Sequence, residues 1–194
     1  SFTITTLGYS KKIIYRNKAK LNDDIYVTGN LGDSFLGLQI LKNKIKVKKK
    51  KFDFFVKKYF KPEIPFKLPK YLIKFANTSI DISDGLIDDL EKMINKQNLS
   101  YNLNLKTIPI SQNLSKLIKE KKLKKINLIS KGDDYQVLFT ADPKRARIIH
   151  NISKSIGIKI TKIGKIISGK NRSLIIDEKN KEIQAKSKGY IHQF

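Results

Sequence analysis

The sequence predicts an α/β fold built on a mixed, partly antiparallel sheet. Three observations lead there. Short runs rich in β-branched and aromatic residues read as strands, as in 24–29, 101–105 and 159–167. Between them, apolar residues recur at helical spacing, as in 52–59 and 86–94. Strands and helices alternate, but some strands follow one another directly, as in 159–167 and 173–176, so part of the sheet is antiparallel.

Taken in order, Phe2 to Leu7 and Lys12 to Tyr15 alternate and are expected to pair as antiparallel strands around Gly8-Tyr9-Ser10. Ser1 opens this chain in a strand already under way, where a natural chain would start with Met, so the sequence reads as cut or started late. Arg16 ends the second run, at a loop to Asn22. The strand from Asp24 to Gly29 leads to Gly32-Asp33-Ser34 and a helix with Phe35, Leu38 and Leu41 on one face, N-capped by Asp33 or Ser34. Lys42 to Lys51 is a solvated, lysine-dense segment. Phe52, Phe55, Val56 and Tyr59 mark a second helix, broken by Pro62, Pro65 and Pro69, and 68–75 forms a short third. A strand ends at 79–82 and a helix runs from Leu86 to about Gln97. Tyr101 to Leu105 is a strand, Ser111 caps a helix through Lys119, and 126–129 is ambiguous. Lys131 to Thr140 is an acidic turn entering a strand, and Pro143 suits the first turn of a helix to about Ile156. Two domain portions are expected: 1–22, a remnant of an N-terminal domain and linker, and 23–194, a C-terminal α/β domain.

Composition narrows the chemistry. The chain has 194 residues and a 40% hydrophobic share, enough for a buried core. Cysteine is absent, which excludes disulfides, thiolate metal sites and cysteine nucleophiles and suits a cytoplasmic protein. No apolar run has the length of a membrane-spanning helix. The net charge is +24, from 41 Lys+Arg against 17 Asp+Glu. Such a charge also fits a basic nucleic-acid-binding module. The lysines, however, are scattered, and arginine, the usual reader of bases and phosphates, is scarce.

The stretch from Asn77 to Leu90 carries the chemical signal. Asp81, Ser83, Asp84, Asp88 and Asp89 lie within nine residues. They fall where a strand hands over to a helix N-terminus, whose backbone N–H groups and dipole favour phosphate. Carboxylates there favour a hard cation such as Mg²⁺. The same spacing also describes an N-cap with an acidic first helical turn. Gly29-x-x-Gly32-Asp33-Ser34 could cradle a phosphate, but lacks the lysine and spacing of a P-loop. His150 and His192 show no metal-ligand spacing, and Ser83 has no obvious base partner.

Three segments taken together resemble the thiamine-monophosphate kinase family. They are Asp24–Gly29 with Gly32-Asp33-Ser34 and Gly37-Leu38; Ser79–Leu86 with Asp89-Leu90; and Gly132-Asp133-Asp134-Tyr135 with Leu138-Phe139-Thr140. The closing Gly189-Tyr190, His192 and Phe194 resemble that family's C-terminus. The resemblance implies the aminoimidazole-ribonucleotide-synthetase-like superfamily, with paired α/β domains and dimerisation through the N-terminal ones. It implies direct transfer of the γ-phosphoryl of ATP to thiamine phosphate with several Mg²⁺ ions, and no enzyme nucleophile. By the same resemblance, Asp81 and Asp84 are metal ligands. Ser83 and Arg16 contact ATP, and Asp133 and Tyr190 contact the substrate. Asp133 stands where the family usually has Glu, one methylene longer. The family's N-terminal aspartate motifs do not occur in this sequence, so these 194 residues alone are expected to show little kinase activity. Selenophosphate and aminoimidazole-ribonucleotide synthetases are the neighbouring alternatives.

Overall fold

The computed structural model describes residues 3–10 and 12–184. One seven-stranded sheet organises them. In chain order the strands are β1 (Asp24–Thr28), β2 (Ala76–Asp81), β3 (Leu99–Asn104), β4 (Val137–Ala141), β5 (Ile160–Ser168), β6 (Leu174–Ile176) and β7 (Glu182–Ile183). The helices are α1 (Asp33–Leu41), α2 (Lys49–Phe60), α3 (Pro69–Leu72), α4 (Leu86–Met93), α5 (Gln112–Lys121), α6 (Lys125–Ile129) and α7 (Ala146–Ile156). A 3₁₀ turn at Pro143–Arg145 leads into α7.

The strands lie in the order β2-β4-β1-β5-β3-β6-β7. Every neighbouring pair is antiparallel except β3–β6. The partly antiparallel sheet expected from the sequence is therefore present. β1 lies inside the sheet and all five of its residues are buried, because both faces there are covered. Ile25 and Val27 join Leu86, Ile87, Leu90 and Met93 of α4 in the largest core. Tyr26 points the other way, stacks on Phe139 at 5.3 Å, and packs with Leu72, Ile149 and Ile152. A third cluster, with Leu36, Ile40, Phe55, Leu114 and Leu117, joins α1, α2 and α5. Among the described residues β2 pairs only with β4, at the edge of the sheet, and its last residue is Asp81.

Several expectations are corrected. No strand forms in 3–10 or 12–15, where Ile4, Leu7 and Tyr9 are almost fully exposed. A two-stranded ribbon without a partner for its apolar face is marginal in water. The buried face of α1 carries Leu36, Gly37 and Ile40, not Phe35, Leu38 and Leu41. Its backbone meets α2 so closely at Gly37 that a Cβ would stand 2.3 Å from the Phe55 carbonyl oxygen. The contact with α2, invisible in α1's own periodicity, sets the buried face. Helix α4 stops at Met93 rather than near Gln97, and Lys96 and Asn98 adopt left-handed backbone that turns the chain into β3. Ser111 caps α5 as expected, accepting from the Leu114 N–H at 3.0 Å.

Candidate active site

The second and third sequence motifs meet at the end of β2. The Ile82 N–H donates to the Gln136 carbonyl (2.8 Å), and the Tyr135 N–H donates to the Ile82 carbonyl (2.9 Å). The Asp133 N–H donates to the Ser83 carbonyl (3.0 Å). These bonds lace the 131–136 loop to the strand-to-helix junction. The approach is so tight that a Cβ on Gly132 would fall 1.6 Å from the Ser83 carbonyl oxygen. Asp133 and Tyr135 take left-handed backbone, at φ 69° and 50°. Such conformations are costly for residues with a Cβ and persist where surrounding bonds over-determine them.

The lacing gathers the acidic side chains. The Tyr135 phenol is pushed above its ordinary pKa by burial, and further by the charges of Asp133, Asp81 and Asp84 and by Tyr59. Three of the residues singled out in the sequence thus act electrostatically on one phenol. Asp81 is exposed, and Ser83 and Asp84 are half-buried.

The junction does not work as a bare helix N-terminus. Asp89, buried in the first turn of α4, turns its Oδ2 back to accept the N–H groups of Ser83, Asp84 and Gly85, each at 3.0 Å. The expectation that these N–H groups face a phosphate is corrected: a carboxylate of the same chain already holds them. Burial pushes the Asp89 carboxyl up, and the N–H groups of Gly85 and Asp84 pull it back. One turn on, the Lys92 ammonium reaches Asp84 Oδ2 and Asp88 Oδ2 at 2.5 Å each, and Asp89 Oδ1 at 3.7 Å. Burial works against its charge, but its hydrogen bonds to Asp84 and Asp88 outweigh that and raise its pKa. Oxygens of Asp84, Asp88 and Asp89 all lie within 4.8 Å of one another, a spacing on the scale of a cation's coordination shell. Lys92 was not singled out in the sequence. Its position, four residues after Asp88 and three after Asp89, is the signal that marks it.

Asp134 faces inward. It is fully buried, and its carboxyl accepts from the Gly32 N–H (2.7 Å) and more weakly from the Ser34 N–H (3.4 Å). The cap of α1 therefore comes from the acidic loop 100 residues away, not from Asp33 or Ser34. Asp33 instead accepts from the Ser111 hydroxyl at 2.7 Å. Burial pushes Asp33 up to about 6 and Asp134 up to about 8. Both line a cavity of about 430 Å³ together with Gly29, Ser34, Lys58 and Gln136.

One expected site residue is not brought into this group. Arg16 is exposed, and the N–H of its neighbour Asn17 donates to the Met93 carbonyl, at the C-terminal end of α4. Ser83 and Asp84 precede the other end, about 12 Å away along an eight-residue helix. Tyr190 lies outside the described residues.

With the geometry in place, known proteins supply the context. No family model matches the chain. The thiamine-monophosphate kinase of Buchnera aphidicola subsp. Schizaphis graminum is 36% identical over 195 residues, covering 99% of this chain and 60% of its own length. The chain is similar to thiamine-monophosphate kinases along nearly its whole length. It spans about 60% of the length of the curated relatives it matches first. Among solved structures, the thiamine-monophosphate kinase of Stenotrophomonas maltophilia K279a superposes with a TM-score of 0.71 at 25% identity, covering 85% of this chain and 52% of that one. The AaThiL complex with AMPPCP and TMP superposes at 0.72 and 24% identity, covering 92% and 54%. The mixed α/β fold is shared with these solved structures.

Proposed function

We propose that this chain is the C-terminal portion of a thiamine-phosphate kinase, which moves the γ-phosphoryl of ATP onto thiamine phosphate to give thiamine diphosphate. The observation that carries the reading is the lacing of Ser83 to Asp133, which joins the loop bearing Asp133 to the strand-to-helix junction bearing Asp81 and Asp84. Likeness to thiamine-monophosphate kinases along nearly the whole chain supports it, as does a structural relative complexed with AMPPCP and TMP.

Asp81 and Asp84 would hold Mg²⁺; their hard oxygen donors suit it, and the oxygens around Asp84 are already at cation spacing. Bound there, Mg²⁺ would neutralise charge on the phosphates. Ser83 would contact ATP through its hydroxyl, because its N–H is held by Asp89. Asp133, placed by its N–H bond to Ser83, would contact thiamine phosphate. Arg16 would reach ATP only with movement of its segment, and Tyr190 would complete the substrate site. No nucleophile is required when the chain's task is to orient two phosphates and offset their charge. A homodimer of the complete enzyme and a cytoplasmic location belong to the same reading.

A chimera tests it. The aligned segment of the Buchnera relative is replaced by these 194 residues, and thiamine diphosphate formation is followed with ATP and Mg²⁺. Turnover is expected, and D84N in the chimera should abolish it. A folded chimera that neither binds nor phosphorylates thiamine phosphate refutes the proposal.

A further inference from the structure

The Lys92 side chain does something that a surface ion pair does not require. Its ammonium sits among three carboxylates whose oxygens lie within 4.8 Å of one another. Asp88 is its i,i+4 partner on α4, and Asp84 lies outside the helix, eight residues back. Asp89 is fixed by three backbone N–H groups and cannot turn away. A divalent ion at Asp84 and the ammonium would therefore compete for the same carboxylate. Asp88 offers the ammonium a second seat along its own helix.

We propose that Lys92 is a built-in competitor for the cation at Asp84: it holds that carboxylate in place when no divalent ion is bound and retreats onto Asp88 when one enters. The proposal rests on the assignment of Asp84 as a metal ligand. Lys92 is a positioning residue here, since it acts through Asp84. It sets the divalent-ion concentration at which the site fills. The apparent dissociation constant of a site rises in inverse proportion to the fraction of molecules whose site is open. If Lys92 closes Asp84 in about nine molecules of ten, removing it tightens binding about tenfold.

The test is Mn²⁺ binding to the 194-residue chain, followed by electron paramagnetic resonance of the remaining unbound ion. K92M is expected to bind about tenfold more tightly than the original chain. K96M removes the same charge just past the end of α4 and, screened by salt, should stay within about twofold. D84N added to K92M should cancel the gain. The melting temperature gives a second readout: K92M without metal should melt lower, from uncompensated carboxylates, and recover more than the original chain when Mn²⁺ is added. K92Q replaces K92M should the latter misfold. If K92M and K96M bind alike while D84N still weakens binding, the competitor role is overturned and the metal assignment stands. If D84N leaves Mn²⁺ binding to the original chain unchanged, the metal assignment falls and the competitor role with it.

Discussion

Replacing Asp134 with Asn should flatten the pH dependence of folding stability between about pH 6 and about pH 8. Asp134 is fully buried, and burial raises its carboxyl from 3.8 to about 8. The folded chain then binds a proton at pH values where the unfolded chain has lost it. Stability from this group is complete below the unfolded value and drains as pH rises toward the folded value. Asp33 is shifted in the same direction, but only to about 6, so the window above it reports mainly on Asp134. Across those two pH units a group with these values loses about 2 kcal/mol. Asn keeps an oxygen for the Gly32 N–H and cannot ionise, so D134N should lose that slope and gain on the original chain as pH rises. Urea unfolding followed by circular dichroism at several pH values measures the difference, in which other titrating groups cancel. Parallel curves for the two proteins would refute the reasoning. They would mean that the N–H groups of Gly32 and Ser34 and the α1 dipole hold Asp134 ionised despite its burial.

Two further substitutions test the scaffold of the site. D89A leaves the N–H groups of Ser83, Asp84 and Gly85 without their shared acceptor and should cost about 3 kcal/mol in urea unfolding, with faster amide exchange at those three positions. G132A drives a Cβ into the Ser83 carbonyl, separates the acidic loop from the junction and should cost about 4 kcal/mol; stability within about 0.5 kcal/mol of the original would contradict the observed approach.

Much of the architecture was legible because it is local. The β1 run, the α2 periodicity, the Ser111 cap and the Pro143 start each depend on residues within one turn or strand. Where the expectation failed, the deciding contact was distant. Residues 3–7 and 12–15 carry a strand pattern, but no strand forms there among the described residues. The face of α1 was set by α2, and its cap by Asp134. The helix expected to reach about Gln97 ends at Met93, after which left-handed Lys96 and Asn98 turn the chain.

The sequence by itself determined the class of the fold, the likeness to thiamine-monophosphate kinases, and the concentration of carboxylates between Asp81 and Asp89. Those properties live in composition, order and short-range spacing. Only the tertiary structure decided what each carboxylate does. Asp89 binds backbone N–H groups, Asp134 caps a helix from 100 residues away, Asp88 and Asp84 share Lys92, and the charges of Asp81 and Asp133 help raise the Tyr135 phenol. The reason is physical: a carboxylate's role follows from the donors and charges within a few ångströms of it, and chain folding, not spacing along the chain, brings them there.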